Sequence, residues 1–477
     1  MTIRKLLVSI SVTMVLATTP LPQRIVYAQT LNDYLSMAAA NNPMLQARYQ
    51  EYLAALEKIP QARALPDPEL TINTFVSHNG LYMDRFMGQQ LSEISLMQML
   101  PWSGLRQAAQ HEATYMSQMK LEAYIEARNN LFHEVRTLWY QLYENDRQLK
   151  LLEEERLILL AFEKLAFTRY KASAGTAAQP SATGRMKEST GPSLPAGGMN
   201  MGNTSTGTMA EAPAENMISM QPSAGSLADV LRIQLQIKEL DAQAARLKNK
   251  HQQLTARFVN LLNTDLQESL VLADTLTEPV LPASIQMMRD SLIGRHPMIK
   301  MNRLEEQVRS TQIRMNQLMG RPMIGVGLAY MIFRPRMDEA LNMPMGGENM
   351  FMPMVTLSLP VYRKKYQSLK NEATLLQSAA GSTVAATQLN LENELEQLIN
   401  AWEDNKQTLQ LLNDQIALTQ HMLRLLTTAY ETGTGKIEDL LLQRQALLNY
   451  KKERLSTLTN QHILVSAFYN LTNFTTN

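Results

Sequence analysis

Two long stretches of the chain carry apolar residues at the three- and four-residue spacing of a helix. Neither stretch contains a proline, and the apolar positions follow a heptad-like pattern. The pattern predicts long helices at about 103–171 and 363–432, each a rod of roughly 100 Å. A rod with one apolar stripe needs partner helices, and we expect return helices at 226–262 and 436–474 to provide them.

Four shorter segments alternate apolar residues with small or polar ones, which is the period of a β-strand. In one of them Ile324, Val326 and Leu328 share a face, while in another Gln98 interrupts the apolar row. A strand of about ten residues with one apolar face is typical of a membrane barrel wall. The predicted strands lie at about 69–77, 89–100, 323–333 and 350–359.

These elements occur twice along the chain, in the same order. Pro43-Met44 recurs 254 residues later as Pro297-Met298. Tyr170 and Tyr430 are 260 residues apart, but Asp229-Val230-Leu231 precedes Asp439-Leu440-Leu441 by only 210. The first copy therefore contains an insertion, and each copy is expected to form one structural half.

The repeat divides the chain into a first half at 29–263, a linker at 264–286 and a second half at 287–477. Within the first half, a methionine-rich insertion at 176–224 separates the long helix from its return helix. The insertion is rich in Gly, Ser, Thr, Ala and Pro, a composition that favours disorder.

Residues 1–28 have the features of an export signal. Arg4 and Lys5 precede the apolar run Leu6 to Ala17, and Val26-Tyr27-Ala28 forms a small-residue cleavage site. The apolar run is short for a membrane anchor, which is the alternative interpretation.

Composition excludes several classes of site and partner. Removing Arg4, Lys5 and Arg24 with the signal changes the net charge from +1 to about −2, so the chain has no electrostatic footprint for nucleic acid. The chain has no cysteine, so disulfides, thiolate metal sites and a lipid-modified N-terminal cysteine are all excluded.

Four strands cannot close a barrel, and open sheet edges are not tolerated in lipid. If the predicted strands span a membrane, several chains must each contribute four, which predicts an oligomer. The alternative is a soluble four-stranded sheet on a helical body.

The helix-tip sequence resembles that of the TolC family of outer-membrane efflux channels. Tyr430-Glu-Thr-Gly433 followed by Asp439-Leu-Leu is similar to the family's tip element, and Asp229-Val230-Leu231 is similar to its second occurrence. The strand-to-helix corners at Leu100-Pro101 and Leu359-Pro360 also fit, and the resemblance covers essentially the whole mature chain.

The resemblance implies a mainly α protein with a β-barrel portion. Each protomer would be a tandem repeat of long coiled-coil helices plus four strands. A homotrimer would form a 12-stranded barrel in outer-membrane lipid and a helical tunnel through the periplasm. The implied partners are a periplasmic adaptor and an inner-membrane pump of the RND type.

The family element implies tip residues that contact the adaptor at the periplasmic entrance; the alternative is that they only shape the turns. These residues are Tyr170, Asp229, Tyr430, Gly433 and Asp439. This chain departs from the family pattern at the first tip, because the insertion separates Tyr170 from Asp229.

Methionines are concentrated in the insertion and near the hairpin of the second half. Thioether sulfur is a soft ligand that selects Cu(I) and, by the same softness, Ag(I), so we expect transient binding of these ions and no required cofactor. The alternative is that the methionines are adaptable apolar filler. The candidate ligands are Met186, Met199, Met201, Met209, Met217, Met220, Met343, Met345 and Met350.

No motif for catalysis is present. The seven histidines are scattered, and neither a phosphate-binding glycine loop nor a nucleophile elbow occurs. Together with the family resemblance and the methionines, this predicts a passive outer-membrane conduit for Cu(I), Ag(I) or other heavy-metal ions. The alternatives are a channel for drugs or secreted polypeptides with incidental methionines, and a periplasmic coiled-coil protein that sequesters copper.

Overall fold

The computed structural model describes residues 30–75, 89–176, 227–264, 275–338 and 342–473. The predicted signal at 1–28 lies outside the described residues, and so does the insertion apart from its first residue, Thr176.

The described elements keep the predicted order of strands, long helix and return helix in both halves, and two short helices precede each pair of strands. The first half contains α1 Leu31–Asn41, α2 Pro43–Arg63, β1 Glu69–Thr74, β2 Gln89–Leu100, α3 Ser103–Thr176 and α4 Leu227–Leu262. The second contains α5 Ile285–Arg295, α6 Pro297–Met319, β3 Met323–Arg334, β4 Arg336–Asp338, β5 Met343–Met345, β6 Met350–Ser358, α7 Arg363–Glu431 and α8 Ile437–Thr472.

The repeated Pro-Met pair marks the second short helix of each half. Proline is the first residue of both α2 and α6, where its missing amide costs no hydrogen bond. The preceding residue caps the helix: Asn42 Oδ1 accepts from the Met44 amide at 3.0 Å, and His296 Nδ1 accepts from the Met298 amide at 3.1 Å. Each cap ends the preceding helix and explains why two short helices form.

Long helices α3 and α7 have 74 and 69 residues, which corresponds to rods of about 100–110 Å. Equivalent positions of the two halves build equivalent cores. Phe258 on α4 and Phe468 on α8 are each fully buried at the same place in the repeat, against α3 and α7 respectively. Apolar burial at repeat-related positions thus stabilises both rods.

One antiparallel sheet joins the halves, with strand order β1-β2-β3-β6. Its central pairing crosses the repeat boundary: Leu96 of β2 is opposite Leu328 of β3. The small antiparallel sheet of β4 and β5 is separate, and the alternation of the four main strands gave no sign of it.

One face of the main sheet is aliphatic and exposed. Leu70 and Leu96 share a row with Leu328, and their exposed fractions are 60, 50 and 49%. Gln98, which interrupts this face in the sequence, donates from Nε2 to the carbonyls of Pro66 and Met99 at 2.8 and 3.0 Å. Local backbone acceptors therefore satisfy the polar group. Within the described chain, none of the helices combines the length and apolar character needed to cross a bilayer.

Acid should lower the stability of the second half, because it protonates the buried side chain of His296. The side chain is 4% exposed, and burial lowers its pKa to about 4, below the ordinary value of about 6.5. The fold therefore favours the neutral imidazole. The stabilisation that depends on this neutral form is fully present above pH 6.5 and is lost as the pH falls towards 4. The loss should reach up to about 3 kcal/mol.

His296→Asn should remove most of this acid sensitivity, because asparagine is the cap at the equivalent position 42. Melting of the helical circular-dichroism signal at neutral and acidic pH measures the effect. His111→Asn, at an exposed position on α3, is the control. A His296→Asn protein that loses as much stability in acid as the native protein would contradict the assignment.

Candidate functional site

The turn between α7 and α8 reverses the chain within residues 432–436. Gly433 has φ +85, a conformation that side chains strongly disfavour. The amides of Thr434 and Gly435 both donate to the Ala429 carbonyl, at 3.0 and 2.8 Å. These bonds satisfy the helix end, and the glycine makes the reversal possible.

Tyr430 is buried at this tip. Its ring is 2% exposed and belongs to an apolar cluster with members from all four long helices. The Arg169 guanidinium, from the end of α3, lies 4.5 Å from the ring centroid. Among the described residues, Tyr430 Oη has no hydrogen-bond partner, so the cation–π contact is the main polar interaction of this side chain. Val230, Ile233, Ile237, Leu240, Ile437, Leu440 and Leu441 are further members of the cluster.

The two return helices begin side by side and are joined by charge. Arg232 of α4 pairs with Asp229 in its own first turn at 3.7 Å and with Glu438 of α8 at 2.6 Å. The arginine and Glu438 are about half exposed, so the pairs contribute little to stability and mainly set the orientation of the helix starts.

The structure brings the two predicted tips into one region. Asp229 and Glu438 share Arg232, and Tyr430 and Gly433 both lie against Arg169. Asp439 is exposed in the first turn of α8, and Tyr170 is half-buried at the next position after Arg169.

Sequence reasoning missed Arg169, Arg232 and Glu438. The spacing of three residues between Asp229 and Arg232 was a usable signal for an ion pair within one helix. The contact of Arg232 with α8 had no such signal, because it depends on how two helices more than 200 residues apart are aligned.

The predicted methionine ligands fall into three groups. Met186, Met199, Met201, Met209, Met217 and Met220 lie outside the described residues. Met343 and Met345 belong to β5, which pairs with β4, whereas Met350 begins β6 of the main sheet, opposite Met331. The second predicted cluster is thus divided between two sheets.

Methionines of the main sheet are segregated to one face. By the register and the alternation of the strands, all seven share the face opposite the aliphatic one. They are Met97, Met99, Met323, Met331, Met350, Met352 and Met354, and each is half-buried. The described residues contain no cluster of three or more His, Cys, Asp or Glu that would hold a metal ion.

Comparison with known proteins identifies the family. The family model described as "Outer membrane efflux protein" matches residues 34–180 and 288–473. No match was found among curated protein sequences.

Several solved structures have the same fold. A membrane protein from Pseudomonas aeruginosa has a TM-score of 0.67 at 15% identity, covering 93% of this chain and 90% of that one. The outer membrane protein VceC from Vibrio cholerae has 0.66 at 12% identity, covering 93% and 95%. CusC, whose structures were described with transmembrane channel formation, has 0.62 at 14%, covering 93% and 91%.

The family match covers most of both halves and leaves out residues 181–287, which contain most of the insertion, α4 and the linker. This chain therefore belongs to the outer membrane efflux protein family, the TolC family of channels, and is a passive channel of the outer membrane rather than an enzyme.

Proposed function

We propose that three copies of this chain close a 12-stranded barrel and conduct Cu(I) or Ag(I) out of the cell. The observation that carries the assembly is the open sheet. Among the described residues, strands β1 and β6 each have one neighbour, and the aliphatic face of the sheet is exposed. In lipid the free edges must be paired, and neighbouring copies provide the partners.

The long helices form the tunnel below the barrel, and their tips face the adaptor. The polar groups at the tip support this role: Glu438, Asp439 and Arg232 are exposed around a buried apolar cluster. Rim charges of this kind favour orientation and selectivity in a protein contact. Energy comes from an inner-membrane pump of the RND type, since the chain has no nucleotide-binding motif.

The cargo assignment is supported by the methionines. Thioethers are neutral at every pH and favour soft monovalent ions, and they are placed both in the insertion and on one face of the sheet. A channel for drugs or secreted polypeptides is the second candidate, because half-buried methionines also form adaptable apolar surfaces. Membership of a channel family disfavours the third reading, a copper-sequestering protein that never enters a membrane.

Charge on the aliphatic face should block assembly. Ile72→Arg places a cation where we assign lipid, at a cost of about 2–4 kcal/mol, and should reduce the detergent-resistant trimer in the outer-membrane fraction. Thr71→Arg, the adjacent residue on the opposite face, is the matched control and should assemble. Equal assembly of both variants, or a native chain that stays monomeric in water without detergent, would contradict the barrel.

Tip geometry should matter for coupling to the adaptor. Gly433→Ala places a methyl group at φ +85, 3.2 Å from Arg169 Nη2, and should destabilise the turn by about 1–2 kcal/mol. We expect faster hydrogen exchange at 428–441 and lower copper tolerance. Gly381→Ala is the control, because this glycine lies within α7 and the atom nearest to an added methyl, Glu306 Oε1, is 3.9 Å away. Unchanged hydrogen exchange at 428–441 in Gly433→Ala would refute the role of this glycine in stabilising the turn.

Deleting 180–224 should raise copper sensitivity in a strain that depends on this chain, while the trimer persists. A second variant keeps the length of the insertion and replaces its six methionines by leucine, so that any loss is due to sulfur. Copper and silver tolerance, compared with tolerance to drugs, is the readout. Normal metal tolerance in both variants would show that the insertion takes no part in metal export.

A further inference from the structure

Two glycines open a gap in the centre of the methionine face. Gly325 and Gly327 lie on β3, between β2 and β6. Gly327 stands between Met97 and Met354, and Gly325 stands between Met99 and Thr356. Because glycine has no side chain, no side chain of β3 separates the residues of β2 from those of β6 at these two positions.

The sulfur atoms of β2 occupy this gap. Met99 Sδ lies 2.7 Å from the position that a Cβ would take on Gly325. Thr356 Oγ1 donates to Met97 Sδ at 3.5 Å, although the two residues are on strands that are not neighbours. Both thioethers therefore lie over β3, and that of Met97 reaches β6, where Met354 precedes Thr356 by two residues on the same face.

We propose that Met97, Met99 and Met354 form a thioether site for one Cu(I) or Ag(I) ion above Gly325 and Gly327. The site joins one strand from each structural half, so neither half contains it alone. Three neutral sulfur ligands favour a soft monovalent cation and release no proton on binding. This inference rests on the proposed function, to which it adds a binding site inside the channel.

The segregation of side chains supports a role beyond filling space. The aliphatic face is built mainly from leucine, isoleucine and valine and carries no methionine. Leucine would also serve for packing on the opposite face, yet that face carries all seven methionines of the sheet. Since the three ligands are half-buried, an ion inside the barrel has access to them. A trimer would present three such sites around one pore.

Residue-resolved oxidation of the full-length trimer in detergent tests the site directly. Ag(I) is the probe, because it is soft and does not change oxidation state under mild peroxide. We expect Ag(I) to slow sulfoxide formation at Met97, Met99 and Met354 at least tenfold, as read by peptide mass spectrometry. Met44 and Met298, exposed on helices, should be unprotected. Equal oxidation of all five methionines with and without Ag(I) would overturn the proposal.

Substitutions distinguish the effect of removing the sulfur atoms from the effect of disturbing the fold. Met97→Leu, Met99→Leu and Met354→Leu together keep the apolar volume and should abolish one bound Ag(I) per chain, counted by metal analysis. Gly325→Ala displaces the flexible Met99 thioether and should weaken binding at least tenfold. The control carries Met44→Leu, Met298→Leu and Met319→Leu and should bind as the native protein does. Full binding by the first triple variant, with its trimer intact, would refute the site.

Different results would disprove the binding site and the proposed cargo. If deletion of the whole gene leaves copper and silver tolerance unchanged while Met97, Met99 and Met354 are still protected, the proposed function is wrong and the binding site remains. If deletion lowers tolerance but these three methionines are unprotected, the cargo assignment remains and the site is wrong.

Discussion

Backbone amides at the edge of a sheet have no partner, and in hydrocarbon each unsatisfied group costs several kcal/mol. This constraint governs the whole molecule. The main sheet has four strands and two free edges, β1 and β6, with an aliphatic face that water does not stabilise. In the proposed trimer, neighbouring copies pair with these edges and satisfy their backbone groups in lipid. The long helices follow the strands directly, so an assembly that closes the sheet also gathers the rods into one tube.

At the tip, four helices end or begin together, and their apolar stripes are buried against one another. Gly433 reverses the chain, and Tyr430 completes the apolar cluster under the Arg169 guanidinium. Ion pairs of Arg232 join the starts of the return helices at the surface. Stability therefore comes from buried apolar contacts, whereas the exposed charges are available for recognition of a partner.

The sheet separates two chemical environments across one layer of backbone. Alternation places leucine, isoleucine and valine on one face and methionine on the other. The glycines of β3 belong to the second face, where they let sulfur atoms of β2 lie across the strand. A single strand pattern thus specifies both the surface assigned to lipid and the surface assigned to the pore.

Much of this architecture can be read from the sequence, because periodicity and the repeat are local properties. The proline-free heptads predict α3 and α7, alternation predicts the four main strands, and the tip sequence indicates the family. Tertiary structure decided which elements meet. Register set Met97 in one row with Gly327 and Met354, and helix alignment set Arg232 against Glu438. Spacing along a chain determines what lies on a face, but contacts between elements hundreds of residues apart depend on packing, which no local pattern encodes.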